Sequence, residues 1–138
     1  MIRINEESYR GQHKAPSSRG GAPLHDMTVL YPDDIYSKKA VQYYGHYGGR
    51  HPVDVKAIKV IHAYWGQPNK KITVYRAVPA GENPVINKGD WVTITKEYAV
   101  EHGESSLRGN YEIASKDVRA KDVFSEANSI HEFGYDPQ

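Results

Sequence analysis

After Pro52, apolar residues fall at Val55, Ile58, Ile61 and Trp65, the spacing of one face of an amphipathic helix that Gly66 and Pro68 terminate. From Lys71 the period changes. Ile72-Thr73-Val74-Tyr75-Arg76-Ala77-Val78 is β-branched and aromatic and ends at Pro79, so it predicts a strand. Asn87-Lys88-Gly89-Asp90 is a turn signal that feeds a second strand, Trp91-Val92-Thr93-Ile94-Thr95. Thr95 is placed to cap a short helix from Lys96 to Glu101, with acidic Glu97 in its first turn and Gly103 ending it. Two further extended segments, Tyr111 to Val118 and Ser129 to Tyr135, are joined by a mixed stretch around Asp122-Val123-Phe124.

Residues 1–50 read differently. Gly, Pro, Ser and His recur from Tyr9 through Pro23, which excludes a long helix or a central strand there. Leu24, Met27, Val29, Leu30, Ile35 and Val41 still occur at intervals, so this segment is expected to lie on the domain as an irregular wrap. Tyr43-Tyr44-Gly45-His46-Tyr47-Gly48-Gly49 reads as a loop with backbone freedom for close approach, a candidate lid. The order of elements predicts an α+β fold with a mostly antiparallel sheet and few short helices. Residues 1–138 are read as a single domain, a wrap over 1–50 and a core over 51–138.

Composition narrows the function classes. The chain has 138 residues, 38% hydrophobic and 25% charged, with 18 Lys and Arg against 17 Asp and Glu, an ordinary globular balance that disfavours a charged disordered tail or a basic nucleic-acid glove. There is no cysteine, which excludes thiol nucleophiles, zinc ribbons and disulfides. No apolar run approaches the roughly 18 residues a membrane helix requires, and Met1 to Gly20 lacks the apolar stretch of a secretory signal. A cytoplasmic protein is therefore expected. Eleven Tyr stand against two Phe and two Trp, and a ring that carries a hydroxyl suits half-wet clefts.

Three elements of the second half carry candidate chemistry: Arg76 in an apolar strand, Thr93 and Thr95 where a strand meets a helix, and Glu132 in a late strand. Taken singly, such residues are usually an ion-paired surface group, a cap and a solvated strand edge. Their order and surroundings are more specific. Tyr75-Arg76-Ala77-Val78, then Trp91-Val92-Thr93-Ile94-Thr95-Lys96-Glu97-Tyr98, then Ser129-Ile130-His131-Glu132-Phe133-Gly134-Tyr135 resembles the Arg, Ser/Thr-x-Ser/Thr, Glu triad of the ADP-ribosyltransferases, in their arginine-serine-glutamate branch. Tyr9 to Pro16, Ala22-Pro23-Leu24-His25-Asp26, Tyr31 to Tyr36 and Tyr43-Tyr44-Gly45 resemble small domains of this superfamily in phage and bacterial polypeptides. The resemblance covers nearly the whole chain and implies a compact core built on a split antiparallel sheet.

It further implies an enzyme that uses NAD as substrate, without a metal, and transfers ADP-ribose to a protein or nucleic-acid acceptor in a bacterial cytoplasm. Cleavage of the nicotinamide-ribose bond leaves positive charge on the ribose, so a carboxylate must face the developing oxocarbenium ion. By the resemblance, Glu132 takes that role. Arg76, with Ala77 beside it, would hold the diphosphate, which suits a planar, permanently charged, bidentate partner. Thr93 would brace the glutamate and touch the ribose, Thr95 would cap the following helix, and Tyr98 is the stacking partner for nicotinamide or else a core residue. His13 and His25, in the wrap, are further candidates for cofactor or substrate contact.

One position departs from the family pattern. Many arginine-modifying members carry Gln or Glu two residues before the catalytic glutamate, where this chain has Ile130. Ile130 cannot orient a guanidinium nucleophile, which leaves nucleic acid, another side chain or water as the acceptor. Strand alternation would put Ile130 and Glu132 on one face and His131 on the other, so His131 would need a bulge or a strand end to serve as a base. The seven histidines have no metal-ligand spacing: His46 and His51 sit five apart in a Gly-rich loop, and His131-Glu132 lacks a second histidine. Two alternatives remain open. One is an NAD glycohydrolase; the other is an inactive binding module holding protein or single-stranded nucleic acid through its Tyr-rich loops and Arg10, Arg19 and Arg50.

Overall fold

The computed structural model describes residues 14–45 and 51–138. Its core is one antiparallel sheet of β1 (Ala22–Pro23), β2 (Lys71–Pro79), β3 (Trp91–Thr93), β4 (Tyr111–Arg119), β5 (Val123–Ser125) and β6 (Glu132–Tyr135), in the order β1-β5-β6-β3-β2-β4. Three α-helices lie among the described residues: α1 (Ala40–Tyr44), α2 (Pro52–Ala63) and α3 (Lys96–Ser106). The mixed α+β class with a sheet core is therefore as expected. The sheet is also close to divided. β2 and β4 pair along their whole length, Lys71 opposite Arg119 through Pro79 opposite Tyr111, whereas β2 meets β3 at a single pair, Tyr75 opposite Thr93.

Alternation fixes the buried face of β2: Ile72, Val74 and Val78 point into the core, where they join Ile58 and Ile61 of α2, Val92 of β3 and Phe133 of β6. The wrap contributes to the same core. Leu24, Met27, Ile35 and Ala40 are fully buried, β1 pairs with β5, and 3-10 turns form at Met27–Val29 and Asp33–Tyr36, while Val29 and Leu30 stay exposed. Each large apolar side chain so buried contributes on the order of 1.5–3 kcal/mol.

Several boundaries differ from the periodic reading. Trp65 lies beyond the end of α2 and is 57% exposed, because Val53 and Ala57 share the buried face with Ile58 and Ile61. β3 stops at Thr93, where the Thr93 hydroxyl donates to the Thr95 carbonyl at 2.7 Å and turns the chain toward α3. α3 then runs through Gly103 to Ser106. Gly103 is there for packing: a Cβ would come within 2.4 Å of the Tyr111 ring. β6 begins only at Glu132, because residues 126–131 form a turn with Ala127 at φ 69°. The alternation expected between Ile130 and Glu132 thus does not run through this stretch, and Ile130 and His131 are both buried.

Gly134 has a further consequence. A Cβ at this position would lie 1.8 Å from the Pro16 carbonyl oxygen, so the wrap crosses β6 in direct backbone contact. Side chains two apart on a strand share a face, and the crossing is therefore on the face that Glu132 presents. The Ser18 N–H donates to Asp136 Oδ2 at 2.9 Å and fastens the strap just past the strand end.

Candidate functional site

Glu132 of β6 and Thr93 of β3 are direct cross-strand partners, and the row continues across the sheet to Tyr75 of β2. Directly opposed residues point to the same face, with Cβ atoms about 5 Å apart. Glu132 is half-buried and Thr93 is 3% exposed. Arg76 does not join this row. One residue further along β2, alternation turns it to the other face, where its Nη1 lies 3.1 Å from Asp90 Oδ2. Ala77 returns to the face of Tyr75, opposite Ile113 of β4.

From Thr93 the site extends into α3 by hydrogen bonds. The Thr95 side chain accepts from the Tyr98 N–H at 3.3 Å as the helix cap, as the sequence predicts. Tyr98 is half-buried, and one face of its ring stacks on His131, with centroids 4.4 Å apart and planes 5° from parallel. His131 precedes Glu132 and is fully buried. Its Nε2 donates to Asp54 Oδ1 at 2.7 Å, and its backbone N–H donates to Ser129 Oγ at 3.0 Å. Asp54 stands in the first turn of α2, itself fully buried.

The structure thus gathers Glu132, Thr93, Thr95 and Tyr98 around a buried His131–Asp54 pair. His131 is enclosed and does not face a reacting group; what it does is fix Tyr98 on one side and the entry to β6 on the other. Asp54 is a site residue that the sequence reading missed. Its only local signal, an acid in the first turn after Pro52, is shared by most helices. A cavity of about 190 Å³ bordered by Tyr31, Tyr43, Tyr44, Ser129 and Ile130 opens beside the turn that leads into β6. His13, Arg10, Arg50 and the loop residues from His46 to Gly49 lie outside the described residues. Among the described residues no group of three or more His, Asp or Glu side chains is gathered as a metal ion would require, and no helix is long and apolar enough to cross a membrane.

No family model, no curated protein and no solved structure matches this chain.

Proposed function

We propose that the protein is an NAD-dependent mono-ADP-ribosyltransferase with Glu132 as its catalytic carboxylate and Thr93 as its brace. The observation that carries this reading is the direct opposition of Thr93 and Glu132 on the central strands, at the point where the sheet is held to β2 by one residue pair. Two triad members separated by 39 positions in sequence need not have met at all.

In the proposed reaction the ribose C–N bond breaks and its electron pair leaves with neutral nicotinamide. The Glu132 carboxylate, aimed at the ribose, offsets the positive charge that develops there, and an acceptor nucleophile then forms the new bond and gives up its proton. Thr93 restrains the carboxylate from the adjacent strand. Because His131 covers one face of Tyr98, nicotinamide would meet that ring from the other. Arg76 has the least geometric support, since Asp90 already engages its Nη1; its remaining N–H groups are the ones a diphosphate would use. Ile130 is 1% exposed, so its side chain offers nothing polar to an acceptor. That favours an acceptor other than arginine.

Replacing Glu132 by Gln keeps the shape and removes the charge. Release of nicotinamide from NAD is expected to fall about 10²–10³-fold, the scale of a lost transition-state electrostatic contact. Turnover unchanged in Glu132→Gln would overturn the assignment. Release that rises with added bacterial lysate marks transfer, and release indifferent to lysate marks hydrolysis by water.

A further inference from the structure

At the far end of α2 from Asp54 lies a second cavity, of about 440 Å³, bordered by His25, Asp26, Asp33, Tyr36, Trp65 and Gly66. α2 has 12 residues, so roughly 18 Å of helix separates this cavity from the His131–Asp54 pair. Tyr36 and Trp65 form a flat stack, with centroids 4.2 Å apart and planes 11° from parallel, and Trp65 is 57% exposed. The stack is held in place from below, because the Tyr36 hydroxyl accepts from the Met27 N–H at 2.9 Å.

Two carboxylates border the same space, and among the described residues no Lys or Arg does. Asp26 uses Oδ1 to cap the turn through the Thr28 N–H and hydroxyl. Asp33 is exposed at the start of its 3-10 turn. Its neighbour Asp34, by contrast, is engaged by the Tyr44 hydroxyl. His25 Nδ1 is buried and has no hydrogen-bond partner among the described residues. A buried ring nitrogen left unpaired is costly unless something fills it.

We propose that this cavity binds a guanidinium group, with its plane against the Trp65–Tyr36 stack, its charge met by Asp26 and Asp33, and one N–H donated to His25 Nδ1. A guanidinium is planar, weakly hydrated and stacks on aromatic faces, which distinguishes it from a compact ammonium. A nucleotide fits worse, since its phosphates would face two carboxylates with no cation at hand. The group could come from a free guanidino compound or from an arginine side chain of a polypeptide, and the recognition chemistry is the same.

The test follows the Trp65 indole N–H by NMR, assigned with Trp65→Phe, during titration with ethylguanidinium, ethylammonium, adenosine and a short arginine-containing peptide. Saturable binding of ethylguanidinium is expected on the order of millimolar affinity. It should be at least about fivefold tighter than ethylammonium and weakened about fivefold or more in Asp33→Asn, a surface change that leaves the fold intact. A peptide that binds tenfold more tightly than ethylguanidinium identifies a polypeptide source, and equal affinity identifies a free compound. Absence of saturation by either guanidinium probe, adenosine binding more tightly, ethylammonium binding equally, or no effect of Asp33→Asn would each overturn the proposal.

Discussion

The two ends of α2 carry the same kinds of group in opposite states. At the N-terminal end, His131, Asp54 and the Tyr98 ring are packed together with the histidine and the carboxylate fully buried and bonded to each other. At the other end, His25, Asp26, Asp33 and the Tyr36–Trp65 stack surround open space, with a ring nitrogen unpaired and an indole more than half exposed. The lesson is that a histidine beside an acid and an aromatic ring has no fixed meaning. Enclosed and bonded to each other, the set acts as a brace that holds neighbouring residues. Left open around a cavity, it is the set proposed above to take a ligand.

The sharpest way to break this contrast is to remove a carboxylate at each end. Asp54→Ala leaves His131 buried without its partner and is expected to destabilise the protein by about 3–5 kcal/mol in a denaturant melt. Asp33→Asn, on exposed polar surface, should stay within about 0.5 kcal/mol of wild type. Similar losses for the two variants would mean that the ends are not different in kind.

A smaller effect probes how the closed end is tied to α3. Thr95→Ala removes the cap that receives the Tyr98 N–H and is expected to cost about 1 kcal/mol. Because Tyr98 rides on that first turn, nicotinamide release should weaken in the same variant. Activity at the wild-type level in a destabilised Thr95→Ala would detach Tyr98 from the reaction.

The smallest expected effect concerns the strap that crosses near Glu132. The Ser18 N–H donates to Asp136, with Lys88 3.7 Å away, and holds that carboxyl below its ordinary value of 3.8. A depressed folded value means that the carboxylate contributes stability above the ordinary carboxylate range and loses it as pH falls through the lower folded value. The Ser18 amide shift should therefore titrate with a midpoint below 3.8, and Asp136→Asn should abolish that step. A midpoint at or above the ordinary value would show that the strap is not fastened there.

Much of the architecture is legible locally. The change from helical spacing at Val55, Ile58 and Ile61 to β-branched alternation at Ile72 and Val74 marks α2 and β2, and Thr95 announces its own helix. What stays hidden is long-range. Asp54 and His131 are 77 positions apart, and nothing in either neighbourhood signals the other. The order of the motifs along the chain groups Arg76 with Thr93 and Glu132. Register decides otherwise, since a shift of one residue turns a side chain to the opposite face, and Tyr75 takes the place in the row. Gly103 reads as a helix end in sequence and Gly134 as one more strand residue, yet each is required because a neighbour occupies the space of a Cβ.

The contact of Pro16 with Gly134 also sets an order of assembly. A chain made from its N-terminus releases Pro16 long before the strand on which it rests exists, so the strap must wait, undocked, until β6 has emerged and paired. The face that bears Glu132 is consequently among the last parts of the molecule to take shape: a nascent chain halted before residue 132 lacks the carboxylate, and one halted before residue 134 still lacks the position against which the strap docks.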